Sequence, residues 1–67
     1  MLGKEKMKSL FHVTVKEKPE LKKVDNIDSL TVAVYHHFMD VYGSKYNKSD
    51  AKEIALCIFF DYALLYK

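Results

Sequence analysis

The chain has no arginine. All eleven of its basic residues are lysines. The planar guanidinium fork that reads guanine or clamps a carboxylate is therefore missing, although lysine still contacts guanine or phosphate as a point charge. A single cysteine, Cys57, excludes an intrachain disulfide and any zinc site built mainly from thiolates. Two glycines and one proline leave no phosphate-cradling glycine pattern and no nucleophile elbow. No carboxylate pair has a clear catalytic role, and so short a chain leaves little room for a substrate pocket. An enzyme is not expected, and neither a cofactor nor a small-molecule substrate. No apolar run reaches the roughly 18 residues of a membrane span. The first residues, M-L-G-K-E-K-M-K, are charged and lack the apolar centre of a secretory leader. A lone cysteine within an apolar segment suits the reducing cytoplasm.

What is present is concentrated at the two ends. Residues 54–66, I-A-L-C-I-F-F-D-Y-A-L-L-Y, are apolar at every position except Asp61. A surface helix of a monomer needs one apolar stripe and one wet face, and this segment is apolar nearly all round. Sixty-seven residues make one domain whose core is marginal without external support. With disulfides and thiolate metal sites excluded, a second copy of the chain is the simplest cover. At the other end, residues 1–23 carry seven lysines against three glutamates, a balance of +4. Residues 24–67 carry four lysines against six acids, a balance of −2. A basic end of this kind faces a polyanion or is simply a solvated tail.

Residues 1–8 read as a flexible basic arm. In S-L-F-H-V-T-V-K, Phe11, Val13 and Val15 alternate with His12, Thr14 and Lys16, the period of a half-buried strand. Pro19 ends it. The polar stretch 17–28 reads as a loop or as one helical turn with Pro19 at its start. Asp28 or Ser29 then caps a helix, with Ile27 and Val32 as a hydrophobic staple. Leu30, Val34, Phe38 and Val41 keep helical spacing up to Gly43, which terminates it. A competing strand reading exists for the β-branched stretch S-L-T-V-A-V-Y at 29–35. Ser49 or Asp50 caps the last helix, with Asp50 and Glu53 spaced as a capping box. The fold expected is mainly α with one short N-terminal strand, in the order β-α-α, over residues 9–67.

This order resembles that of the ribbon-helix-helix DNA-binding proteins of the Arc and Met-repressor group. The resemblance rests on Leu10–Lys16 as the ribbon, on G-S-K-Y-N-K-S-D-A-K-E-I at 43–54 as the turn into the second helix, and on the apolar 54–66 helix. It implies a homodimer, with pairing into a tetramer left open, whose two ribbons form an antiparallel sheet in the major groove of double-stranded DNA. His12, Thr14 and Lys16 would then face the bases. Lys48 and Ser49, opening the last helix, would hold a phosphate. Phe11, Val13, Val15, Ile54, Ile58 and Phe59 would form the dimer core. The implied function is a small cytoplasmic transcriptional repressor, and the lysine-rich composition suits an AT-rich bacterial genome, plasmid or phage.

Plainer readings stand beside these. His12, Thr14 and Lys16 also fit the wet face of an edge strand. The pair His36 and Asp40 shares a helix face but offers too few groups for a closed metal site, so His36 and His37 fit a solvated or core-edge pair better. Cys57, between Leu56 and Ile58, fits core packing better than nucleophilic chemistry. The five tyrosines fit an interface rim or, less simply, base stacking. The rival function is a small protein-binding inhibitor or adaptor, docking through the apolar aromatic helix. An antitoxin would combine both activities.

Overall fold

A computed structural model describes residues 3–60 of the chain. Helix α1 runs from Lys4 to Glu17, α2 from Ile27 to Tyr42 and α3 from Lys48 to Phe60. Short 3-10 turns at Pro19–Lys23 and Gly43–Lys45 join them. The part of the apolar C-terminal segment beyond Phe60 lies outside the described residues.

The expected N-terminal strand is not formed. Residues 9–16 are helical, and no strand occurs among the described residues. The β-α-α ribbon architecture is therefore replaced by three helices. The cause is a second apolar period that overlaps the first. Met7, Leu10, Phe11 and Thr14 recur at i, i+3, i+4 and i+7, and all four are buried on one side of α1. A strand would hide Phe11, Val13 and Val15 together. The helix hides Phe11, turns Val13 outward to 41% exposure and leaves Val15 half-buried. The Lys, Glu and Met residues upstream are good helix formers, so the helix extends back to Lys4 through the stretch expected to be a flexible arm.

Glu17 ends α1, and Pro19 occupies the first turn of the 3-10 segment, where its missing N–H costs nothing. That turn seats Leu21 in the core. Asn26 caps α2: its side-chain oxygen accepts from the Ser29 backbone N–H at 3.0 Å. The cap thus lies two or three residues before Asp28 or Ser29. At the far end Gly43 has φ +65°, a left-handed conformation suited to glycine, and its N–H donates to the Met39 carbonyl. Asn47 and Asp50 cap α3 reciprocally. The Asp50 N–H donates to Asn47 Oδ1 at 2.9 Å, and the Asn47 N–H donates to Asp50 Oδ2 at 3.2 Å. Asp50 is therefore the second half of a box opened by Asn47, not the first half of one closed by Glu53.

α2 and α3 pack closely on each other, and α1 lies mainly against α3. Leu30, Val34, Phe38, Ala51, Ile54, Ala55 and Cys57 are fully buried between them. At roughly 1.5–3 kcal/mol for each large side chain removed from water, these contacts dominate the stability of so small a chain. Leu30, Val34 and Phe38 hold the register expected of a core-facing helix, whereas Val41, expected in the same stripe, is 49% exposed.

Candidate functional site

The helical geometry of α1 redistributes the residues assigned to base contact. His12 and Lys16 are exposed one turn apart, and Lys8 continues the row one turn earlier. Thr14 lies on the opposite side at 0% exposure, and its hydroxyl has no hydrogen-bond partner among the described residues. All seven lysines of residues 4–23 are exposed, so α1 and its following turn form a basic layer.

Lys48 and Ser49, assigned to phosphate contact, open α3 and line a cleft of about 520 Å³ together with Lys52, Asp28, Thr31 and Val32. The Thr31 hydroxyl in that cleft is committed to the Ile27 carbonyl at 2.8 Å. Of the residues assigned to a dimer core, Phe11 and Ile54 are buried within the single chain, and Val15 and Ile58 are half-buried against the same core. Val13 and Phe59 are exposed.

The histidine pair splits. His36 is exposed, whereas His37 is buried with its Nε2 at 3.3 Å from Glu17 Oε1. A carboxylate only accepts, so Nε2 carries the proton and donates. This contact ties the last residue of α1 to α2. No cluster of metal-ligating side chains occurs among the described residues. No helix among them is long and apolar enough to cross a membrane. Burial, and secondarily the nearby Glu53 charge, pushes the Cys57 thiol up to about 11. A thiol held in that range is protonated at neutral pH, the reverse of what a nucleophile needs.

Two surface features combine apolar floors with lysine edges. At the end of α3, Ile58, Phe59 and Phe60 meet Phe11 of α1 and Lys22 of the 3-10 turn around a groove of about 330 Å³. Phe59 and Phe60 pack edge to face at 4.9 Å and remain 38% and 47% exposed. The second groove, about 190 Å³, runs between α1 and the α2–α3 elbow, lined by Lys6, Ser9, Leu10, Val13, Tyr42 and Tyr46. Its aromatic wall continues inward through Phe38, whose ring lies 5.8 Å from Tyr42 and 5.3 Å from Tyr46. The Tyr42 hydroxyl is pushed above its ordinary range by burial first, then by the charges of Glu17 and Tyr46.

Sequence reasoning treated Tyr42 and Tyr46 as rim aromatics and missed the groove they build with Lys6. The spacing Phe38, Tyr42, Tyr46 was the available signal. The break at Gly43 hid it, because the third ring belongs to the elbow rather than to α2. No protein-family model, no curated protein and no solved structure matches this chain.

Proposed function

We propose that this chain is a non-catalytic protein-interaction module that receives an amphipathic helix of its partner at the aromatic end of α3. The observation that carries this is the exposed Phe59–Phe60 pair beside Phe11 and Ile58. Aromatic rings left in water at the edge of an apolar groove are the side chains that anchor interfaces. A helix laid into such a groove buries residues at i, i+3 or i+4 and i+7. Lys22 lines the groove, and Lys18 and Lys23 are exposed on either side of it in sequence. These charges favour a partner helix with acidic flanks.

Selection from a library of displayed helical peptides tests the reading. Enriched sequences should carry apolar residues at helical spacing with Asp or Glu beside them. Their binding should be lost in Phe60→Ser while the far-ultraviolet circular dichroism stays unchanged. Enriched peptides that bind Phe60→Ser as well as the wild type refute it. A dimer that Phe60→Ser splits in sedimentation would assign the groove to a second copy of the chain instead.

A second reading keeps nucleic acid as the partner, supported by the exposed row Lys8, His12 and Lys16 in the basic layer of α1. Lysines on such a layer would contact phosphates and give an affinity for duplex DNA that falls steeply with salt. Titrating Lys8→Gln with Lys16→Gln against duplex DNA at several salt concentrations separates the readings. A loss of affinity with a reduced salt slope favours DNA, and equal weak binding by both proteins removes it.

A further inference from the structure

The groove between α1 and the α2–α3 elbow has an electrostatic feature that the aromatic end of α3 lacks. Two lysines from distant parts of the chain converge on one ring. Lys6 Nζ stands 5.8 Å from the centroid of Tyr46, and Lys45 Nζ stands 5.7 Å from it. Each distance lies within the range of a cation–π contact. Neither ammonium has a carboxylate partner among the described residues. The two ammonium groups share one ring, and a ligand carrying more than one carboxylate can pair with both.

The floor beneath them is apolar. Leu10 and Tyr46 are buried, Tyr42 is half-buried, and Val13 presents an exposed branched side chain. The groove also has a direction. Glu17 lies one helical turn beyond Val13 on α1, and its charge reaches Tyr42. A negative ligand is therefore attracted at the Lys6 end and repelled at the Glu17 end.

We infer that the groove lined by Lys6, Val13, Tyr42 and Tyr46 is a second binding site, for an acidic peptide segment whose carboxylates pair with Lys6 in the groove and with Lys45 beside the same ring while an adjacent apolar side chain rests on Val13. A carboxylate alone satisfies the lysines but leaves Val13 in water. An apolar side chain alone leaves the ammonium pair uncompensated. A short segment carrying both satisfies the whole groove, with its acids at the end away from Glu17. The site is independent of the aromatic end of α3, which borders Phe11 on another side of α1.

The probe is an acetylated peptide with a central leucine and two glutamates on each side, followed by amide shifts in nuclear magnetic resonance. Shifts should concentrate at residues 6–13 and 42–46. Affinity should fall about fivefold in Lys6→Gln or Lys45→Gln, the effect expected of one exposed charge pair. The double variant should lose more than either. Val13→Ser should weaken binding by a similar factor, and Lys8→Gln on the outer row should leave it unchanged. Replacing the peptide's glutamates by glutamines should abolish binding, and added salt should weaken it. Phe60→Ser should bind this peptide as the wild type does, so failure of the aromatic docking surface and failure of this site are told apart. Equal binding of the glutamine peptide, shifts centred on Lys22 and Phe60, or saturation by duplex DNA but not by the peptide would each overturn the inference.

Discussion

Replacing Thr14 with valine should make the protein more stable. Thr14 is 0% exposed on the inner side of α1, and its Oγ1 has no partner among the described residues. A buried hydroxyl left without a hydrogen bond costs roughly 1–3 kcal/mol in desolvation. Valine keeps the branched shape, removes the polar atom and has a helix propensity close to that of threonine. A net gain of about 1 kcal/mol is expected, taking the low end of the range. For a domain of this size that raises Tm by about 4–8 °C. Thermal and urea unfolding followed by circular dichroism measure it. Thr14→Ala is the control: it also removes the hydroxyl but gives up a methyl group worth about 0.8 kcal/mol of burial, and should fall below the valine variant. On the outer face of a ribbon, the valine substitution would change stability by less than about 0.5 kcal/mol. A drop in Tm for Thr14→Val would show that the hydroxyl is bonded, and would refute the reasoning.

Three further outcomes follow from the buried thiol and the α3 cap. Cys57 should react with thiol reagents in the native protein only as fast as the fold opens, and at once in urea. Its pKa is raised from 9.0 to about 11, so its contribution to stability is complete below pH 9 and is lost as pH rises through about 11. That alkaline loss, on the order of 2–3 kcal/mol, should be missing when Cys57→Ala is unfolded across the same pH range. Asn47→Ala leaves the Asp50 N–H without its side-chain acceptor and should cost about 1 kcal/mol, read as a lower urea midpoint with an unchanged slope.

The helical half of the fold was legible wherever one period acted alone. Leu30, Val34 and Phe38 carry the helical period past the β-branched stretch that also suits a strand, and Gly43 marks where α2 stops because the chain adopts positive φ there. Pro19 marked the start of the turn after α1. Residues 10–16 were ambiguous because Phe11 belongs to two patterns at once. With Val13 and Val15 it makes a strand face, and with Met7, Leu10 and Thr14 a helix face. The second pattern is satisfied within the single chain and needs no partner strand, so it prevails. The true caps are hidden for a local reason: Asn26 and Asn47 each reach forward three residues, and the serines and aspartates after them look like equally good caps. Lys48 and Ser49 were recognised as the opening of a helix, and they do line a cleft. The Lys6–Tyr46–Lys45 arrangement is not readable, because it joins α1 to an elbow far along the chain, and residues 10–16 carry the period of a strand as well as that of a helix.

The tight elbow from Gly43 to Asn47 also sets an order of closure costs. Bringing α2 onto α3 closes only a short loop, whereas seating α1 on α3 closes one that spans the whole of α2. The short-range hairpin is therefore the less costly of the two to close. A ribosome delivers these helices in the opposite sequence. The greasy stripe of Met7, Leu10 and Phe11 is made first, and it waits bare until the platform carrying Ile54 and Cys57 has left the exit tunnel.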